Sequence, residues 1–415
     1  MTTSQSADAA SFETENLIAI TEQILSSEWG EAVRLTAAGV LREKYRNRVL
    51  RLSVQSGPSH APTSVIVKRS GPGDAAFNPD EDVWESAPWR FRNEWAGTQF
   101  LNSLKADPPL CAGLLGADPA QGVLVLQDLG SPHSLAGEMQ EGDLTTLESA
   151  LFTYARSLGR LHARTIGKEA EWTSLRRASG GSQTAREPEG TRWLREEWKA
   201  LHSFCEAAGV SVPVEIEAEA ERIKTDFDAP GPFLAFSPGD TCPDNHRLPE
   251  PGSEQAYLQF FDFEFAGFRH ALIDAAYLIM PFPTCWCVNR LPQTTIETLV
   301  NTYRKELVKG CPAASTTDFD RLLVYACAYW LTCTLAWGGQ KVFEEDQKWG
   351  ISTVRQRHLL RLDNFLWATS RWSAGTLPAF VELATQLRDA LASRWSDMEP
   401  MPLYPAFRAG AAVVR

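Results

Sequence analysis

The chain has 415 residues, 44% of them hydrophobic, which is ample for a packed core and long enough for two lobes. Forty Lys and Arg against 52 Asp and Glu give a net charge of -12. That balance argues against a nucleic-acid binder, which would need a basic stripe. It is compatible with a cationic small substrate, and equally with a surface that only keeps a cytosolic protein in solution.

Eight cysteines in so long a chain do not read as a disulfide framework. Cys285 and Cys287 form a C-x-C with no second Cys pair and no clustered His, so reduced buried thiols are expected there and not a metal. The first residues carry neither a basic nor an apolar leader segment. The longest apolar run, Leu322 to Trp337, is interrupted by Thr332 and Thr334 and falls short of the roughly 18 residues of a membrane span. A buried helix and a cytoplasmic protein with no membrane partner are expected.

Glu13–Leu25 has apolar residues at helical spacing behind about ten small, polar residues that read as frayed. Strands are predicted over Ala32–Leu41, Arg48–Gln55 and Thr63–Lys68, with an exposed loop over Ser70–Pro88. A helix follows at Trp89–Leu104, then strands near Ala112–Gly116 and Val123–Gln127. From Asp143 the chain turns mostly helical. Helices are predicted over Leu144–Ile166, Trp193–Ala208, Val214–Phe227, Thr295–Leu307, Phe319–Trp337, Thr353–Trp372 and Pro378–Trp395, with a loop over Ser179–Thr191. Two short strands, Phe233–Phe236 and Tyr257–Phe261, interrupt them, and Met398–Arg415 shows no periodicity.

Between those two strands runs Ser237-Pro-Gly-Asp-Thr-Cys-Pro-Asp-Asn245, followed by Phe261-Asp-Phe-Glu264. Asp240 and Asn245 have the D-x-x-x-x-N spacing, and Asp262 follows the next strand. A carboxylate to orient a hydroxyl and two oxygen ligands for a hard cation are what phosphoryl transfer needs. Upstream, Lys68 ends a Val-Ile-Val-Lys strand and Glu94 lies on the next helix.

With Leu124-Val-Leu-Gln-Asp-Leu-Gly130 placed like a hinge, Leu158-Gly-Arg-Leu-His162 behind it and Asp274 after the loop, residues from about 30 to 340 resemble the aminoglycoside phosphotransferase and choline kinase-like family. The resemblance implies an α+β, two-lobed protein kinase-like fold. Residues 1–127 would form a small β-rich N-lobe that binds nucleotide, and residues 128–415 a larger, mainly helical C-lobe with the catalytic loop and acceptor pocket. It implies ATP or GTP and Mg²⁺, with transfer to a hydroxyl of a small molecule: an aminoglycoside, an amino-alcohol or a sugar-like metabolite. Asp240 would be catalytic, and Asn245 and Asp262 would hold the metal. Lys68, positioned by Glu94, would hold phosphates, and backbone groups near Gln127 and Leu129 would face the base. Asp274 would brace the catalytic loop.

Two departures stand out. Pro238 occupies the place of the family's usual histidine, and Ala38–Tyr45, the nucleotide loop, contains only Gly39, so that backbone N–H groups, Lys44 or Arg46 would have to cover the phosphates. They motivate the alternative of a catalytically inactive, nucleotide- or metabolite-binding protein. Cys242, two residues after Asp240, and the short interval from Asp262 to Asp274 argue against a protein kinase. Asp244, His246 and Glu264 are secondary candidates for metal or phosphate contact, for which turn, loop and capping roles are the alternatives.

Overall fold

The structure is a computed structural model. It describes residues 2–44, 46–71, 77–81, 83–130, 133–180, 187–250 and 257–408. Parts of the loops predicted over Ser70–Pro88 and Ser179–Thr191, and the last residues of the Met398–Arg415 stretch, lie outside them. The chain divides into two compact units. The α+β class stands as expected, with a small β-rich unit and a larger, mainly helical one.

The first unit comprises Met1–Pro132, Ala170–Thr184 and Gln259–Ala266. It opens with α1 (Thr2–Trp29), longer than the predicted helix. Strands β1 (Arg34–Lys44), β2 (Asn47–Ser56) and β3 (Ser64–Ser70) follow, then α2 (Ala87–Ser103), β4 (Leu114–Asp118) and β5 (Val123–Gln127). The sheet order is β1-β2-β3-β5-β4, antiparallel throughout. Side chains on a strand alternate between faces. Val65 and Val67 of β3 therefore join Leu17, Ile20 and Leu25 of α1 in a buried cluster with Leu50, Leu52, Val123 and Val125. Lys68 falls in the other parity, on the central strand, between Val49 of β2 and Leu124 of β5.

α2 packs on β3 and is capped by Ser86, whose hydroxyl accepts from Trp89 N at 3.4 Å. It buries apolar and polar residues alike, among them Arg90, Arg92, Asn93 and Glu94. A polar group buried this way needs a partner, and each of these has one. Arg92 donates to the Glu81 carbonyl, and Asn93 accepts from Arg176 at 2.7 Å.

The second unit comprises His133–Glu169, Ala185–Leu258 and Gly267–Arg415. Most predicted helices appear within a few residues of their expected bounds: Leu144–Thr165, Ile216–Asp228, Gln293–Leu307, Thr317–Gly338, Val354–Trp372 and Pro378–Arg394. The predicted Trp193–Ala208 helix is two helices, Glu189–Glu196 and Trp198–Ala208, meeting at Glu197. Their apolar period runs through the junction, which hid the break. The Thr317–Gly338 helix is buried along most of its length, and among the described residues no helix is long and apolar enough to cross a membrane. Strand Leu234–Ser237 pairs antiparallel with Gly267–His270, and the short helix Ala271–Ala275 follows directly.

Candidate functional site

Two polar centres carry the predicted residues, one in each unit. In the first, the β3 parity and α2 packing bring Lys68 Nζ to 2.5 Å from Glu94 Oε2 and 2.6 Å from Asp262 Oδ1. Three positions scattered over the sequence thus meet at one ammonium. Lys68 is only 7% exposed and Glu94 1%. Burial alone would lower the lysine's pKa, but Asp262, Glu94 and Glu264 together push it up. Burial pushes Glu94 up to about 7, with Lys68 opposing and Asp262 adding to the rise. Burial acts in the same direction on Asp262, yet Lys68, Arg42 and Arg46 outweigh it and hold the carboxyl below its usual range.

Asp262 has φ +70°, in the left-handed region that few residues other than glycine adopt. Its second oxygen meets Arg42 Nη1 at 3.5 Å, and that arginine is more than half exposed. The β1–β2 pairing skips Leu41, and this bulge re-aims Arg42. The predicted nucleotide loop is therefore largely strand: β1 continues to Lys44, which pairs with Asn47. Tyr45 and the Lys44 side chain lie outside the described residues. Arg46 stacks over Phe265 at 5.4 Å.

Glu264 is buried, taking Asn47 Nδ2 at 3.0 Å and Arg90 Nε at 3.3 Å. It ties the Asp262 segment to β2 and α2. Past β5, the Gln127 N–H donates to the Gly113 carbonyl at 2.8 Å. Asp128 accepts from Arg51 Nε and Ser64 Oγ, each at 2.7 Å, fixing the strand end beside Leu129.

In the second unit, the loop after Leu234–Ser237 carries Asp240. It turns at Gly239, with φ +87°, and Gly239 N donates to Ser237 Oγ at 3.0 Å. Asn245 Nδ2 donates to the Asp240 carbonyl at 3.1 Å, which closes the loop and turns the amide oxygen of Asn245 away from it. Tyr154 donates to the Thr241 carbonyl at 2.8 Å, and Arg269 Nη2 to the Gly239 carbonyl at 3.3 Å. Arg269 also pairs with Asp274, which is fully buried. Asp274 meets His162 Nε2 at 3.3 Å, and His162 Nδ1 meets the Tyr303 hydroxyl at 2.8 Å. Burial would raise the Asp274 carboxyl, but Arg269 and then His162 hold it down.

The Asp240 carboxylate accepts from Thr284 Oγ1 at 2.7 Å, and Tyr277 and Cys242 contact the same hydroxyl at 3.0 and 3.2 Å. Asp244 accepts from Trp286 Nε1 at 3.0 Å. His246 is packed edge-on to Tyr154, and burial lowers its pKa to about 3, so it is a neutral core residue.

A cavity of about 110 Å³ in this unit is lined by Pro283, Trp337, Trp349, Arg357, His358 and Arg361, among others. Arg361 Nη2 donates to the Pro283 carbonyl at 3.0 Å, while its Nε has no partner among the described residues. Both ring nitrogens of His358 are likewise unpartnered. Burial, then the neighbouring Arg357, lowers Arg361 to about 9. Glu345, the one acidic lining residue, is exposed.

Sequence reasoning missed Arg42, Arg269, Thr284 and the cavity arginines. Arg42 had a signal, since it lies within the expected nucleotide loop. The others sit on segments with no motif.

No protein-family model matches the chain. No curated protein matches it. Solved structures similar to it include a choline/ethanolamine kinase family protein from Mesorhizobium loti, with 16% identity, 86% of this chain and 92% of that one covered, and a TM-score of 0.42. A putative aminoglycoside phosphotransferase from Ralstonia eutropha has 12% identity, 92% and 98% coverage and a TM-score of 0.45. An ethanolamine kinase from Plasmodium vivax has 10% identity, 84% and 83% coverage and a TM-score of 0.45.

Proposed function

We propose that the chain is a small-molecule kinase that uses ATP or GTP with Mg²⁺ to phosphorylate a hydroxyl of its acceptor. The observation that carries this reading is the meeting of Lys68 with both Glu94 and Asp262. An ammonium held by a helix carboxylate, beside a second acidic residue, is the arrangement that binds nucleotide phosphates and their cation.

The donor sets suit magnesium. Asp262 offers an oxygen engaged by one half-exposed arginine, and Asn245 offers a neutral amide oxygen turned away from its loop. These two are the proposed ligands. Bound magnesium would neutralise charge on the transferred phosphoryl group. Lys68 binds the phosphates, Glu94 fixes the lysine, and Arg42 and Arg46 add positive charge from the β1–β2 hairpin. Backbone groups of Gln127 and Leu129 face the base. With its N–H spent in the sheet, Gln127 offers its carbonyl. Asp240 orients the acceptor hydroxyl and takes its proton, held in place by Thr284 and the braced loop.

The cavity refines the acceptor. Arg361, with a buried Nε that has no partner among the described residues and no carboxylate beside it, favours a small molecule carrying a carboxylate or phosphate over a cationic one. A phosphorylation screen over small hydroxyl metabolites, run in parallel with Asp240→Ala, tests the proposal. Phosphorylated product is expected from the wild type alone. Equal turnover by Asp240→Ala, or no acceptor phosphorylated in the whole screen, contradicts it.

A further inference from the structure

Two thiols and a carboxylate meet beside the loop that carries Asp240, with a third thiol next to one of them. Cys242 and Asp244 belong to that loop, and Cys285 and Cys287 to the segment after Thr284. The sulfurs of Cys242 and Cys285 and a carboxylate oxygen of Asp244 all lie within 4.8 Å of one another. The sulfurs of Cys285 and Cys287 are 2.7 Å apart. That is well beyond the ~2.05 Å of an S–S bond, and all three residues are free cysteines. Cys242 is 5% exposed, and Cys285 and Cys287 are fully buried. The sequence shows one C-x-C and no second pair; the fold supplies the third sulfur from the Asp240 loop.

We propose that Cys242, Cys285 and Asp244 bind one thiophilic metal ion, Zn²⁺ or Cd²⁺, with Cys287 as fourth ligand. Two or three thiolates with a carboxylate form a donor set such ions prefer. Zn–S bonds of about 2.3 Å in a tetrahedron put sulfurs roughly 3.8 Å apart. The three mutually close ligand atoms suit that spacing, and the Cys287 sulfur, which lies outside that group, joins by turning away from that of Cys285 and towards the other two ligands.

The surroundings fit as well. Trp286 Nε1 donates to Asp244 Oδ2 at 3.0 Å and orients the carboxylate. Three thiolates and one carboxylate leave two negative charges in excess over a divalent ion. Arg357, which donates to the carbonyls of Cys285 and Trp286, offsets part of that excess. Asp244 is half-buried and marks the side from which an ion enters. Each thiol that binds gives its proton to solvent, so loading releases two or three protons per ion. The ion would pin the Asp240 loop to the segment of Thr284, whose hydroxyl already bridges Cys242 and Asp240.

The test reads metal binding and does not depend on phosphotransfer. The full chain, reduced and stripped by a chelator, is titrated anaerobically with Cd²⁺. The expected result is an ultraviolet thiolate-to-metal charge-transfer band that saturates at one ion per chain, with proton release and a higher Tm. Cys242→Ser and Cys285→Ser should lose the band, while Cys327→Ser, on a helix elsewhere, should keep it. X-ray absorption on the zinc-loaded wild type needs no variant and should find two or three sulfur neighbours. No band in the wild type, a band that survives both serine changes, an all nitrogen-and-oxygen shell, or a disulfide between Cys285 and Cys287 in place of bound metal overturns the proposal.

Discussion

Asp262 and Asp240 are both acidic and both sit in loops just after a strand, yet their surroundings differ in kind. Asp262 stands among cations, with Lys68 and Arg42 on its two oxygens and Arg46 near by. Asp240 takes its hydrogen bond from a hydroxyl, and the arginine that braces its loop is spent on Asp274 and a backbone carbonyl. The first arrangement holds a carboxylate ionised, as a phosphate and cation site requires. The second holds its carboxylate through a hydroxyl, on a loop closed by contacts to its backbone carbonyls.

Breaking the Asp240 centre should have the largest catalytic effect. Asp240→Ala removes the proposed base, and kcat should fall by roughly 10²–10⁴-fold while nucleotide-induced stabilisation stays near the wild-type value. A steady-state assay with a nucleotide titration by thermal shift reads both quantities. If nucleotide binding falls as far as turnover, Asp240 does not have a separate role.

Breaking the charged centre should cost stability instead. Lys68→Met leaves Glu94 and Asp262 buried around a missing cation, and removing one partner of such a set costs about 3–5 kcal/mol. Urea unfolding of Lys68→Met with and without Glu94→Gln sharpens this, because the second change should recover part of the loss. Additive losses would mean that the two side chains are not coupled. Asp274→Asn should cost about 3 kcal/mol by stranding the buried Arg269 beside the Asp240 loop. Thr284→Val should be mild: about 1 kcal/mol of transition-state stabilisation, or roughly fivefold in kcat, with folding unchanged.

The smallest expected effect is a pH slope. Glu94 binds its proton more tightly when folded, from 4.5 up to about 7, so its contribution favours the folded state at the acid end and is lost as pH rises through that window. Asp262 and Asp274 run the other way: their contributions are full above pH 3.8 and are lost as pH falls below it. Glu94→Gln should flatten the stability profile between 4.5 and 7 and leave the acid limb in place. An unchanged profile would place the Glu94 proton elsewhere.

Much of this was legible because local pattern and global fold agree. β-branched alternation gave β2, β3 and β5, and the same parity that buries Val65 and Val67 sends Lys68 to the α2 face. Asp240, Asn245, Asp262 and Asp274 follow strands whose ends set their positions. The helix break at Glu197 was hidden because apolar spacing runs through it. Arg42 lay within the expected nucleotide loop, but its aim depends on a bulge that one strand does not reveal. The thiol cluster and the arginine-lined cavity depend on residues from separate segments converging, and no single-segment period reports that.

The most direct test is thermal unfolding of the wild-type chain with millimolar ATP or GTP, with and without Mg²⁺. A nucleotide present at 100 times its Kd adds about 2.7 kcal/mol by mass action, which for this chain is a rise of a few degrees in Tm. The rise should require Mg²⁺ and disappear in Asp262→Asn. No shift in the wild type with either nucleotide would contradict the phosphotransferase reading at its root.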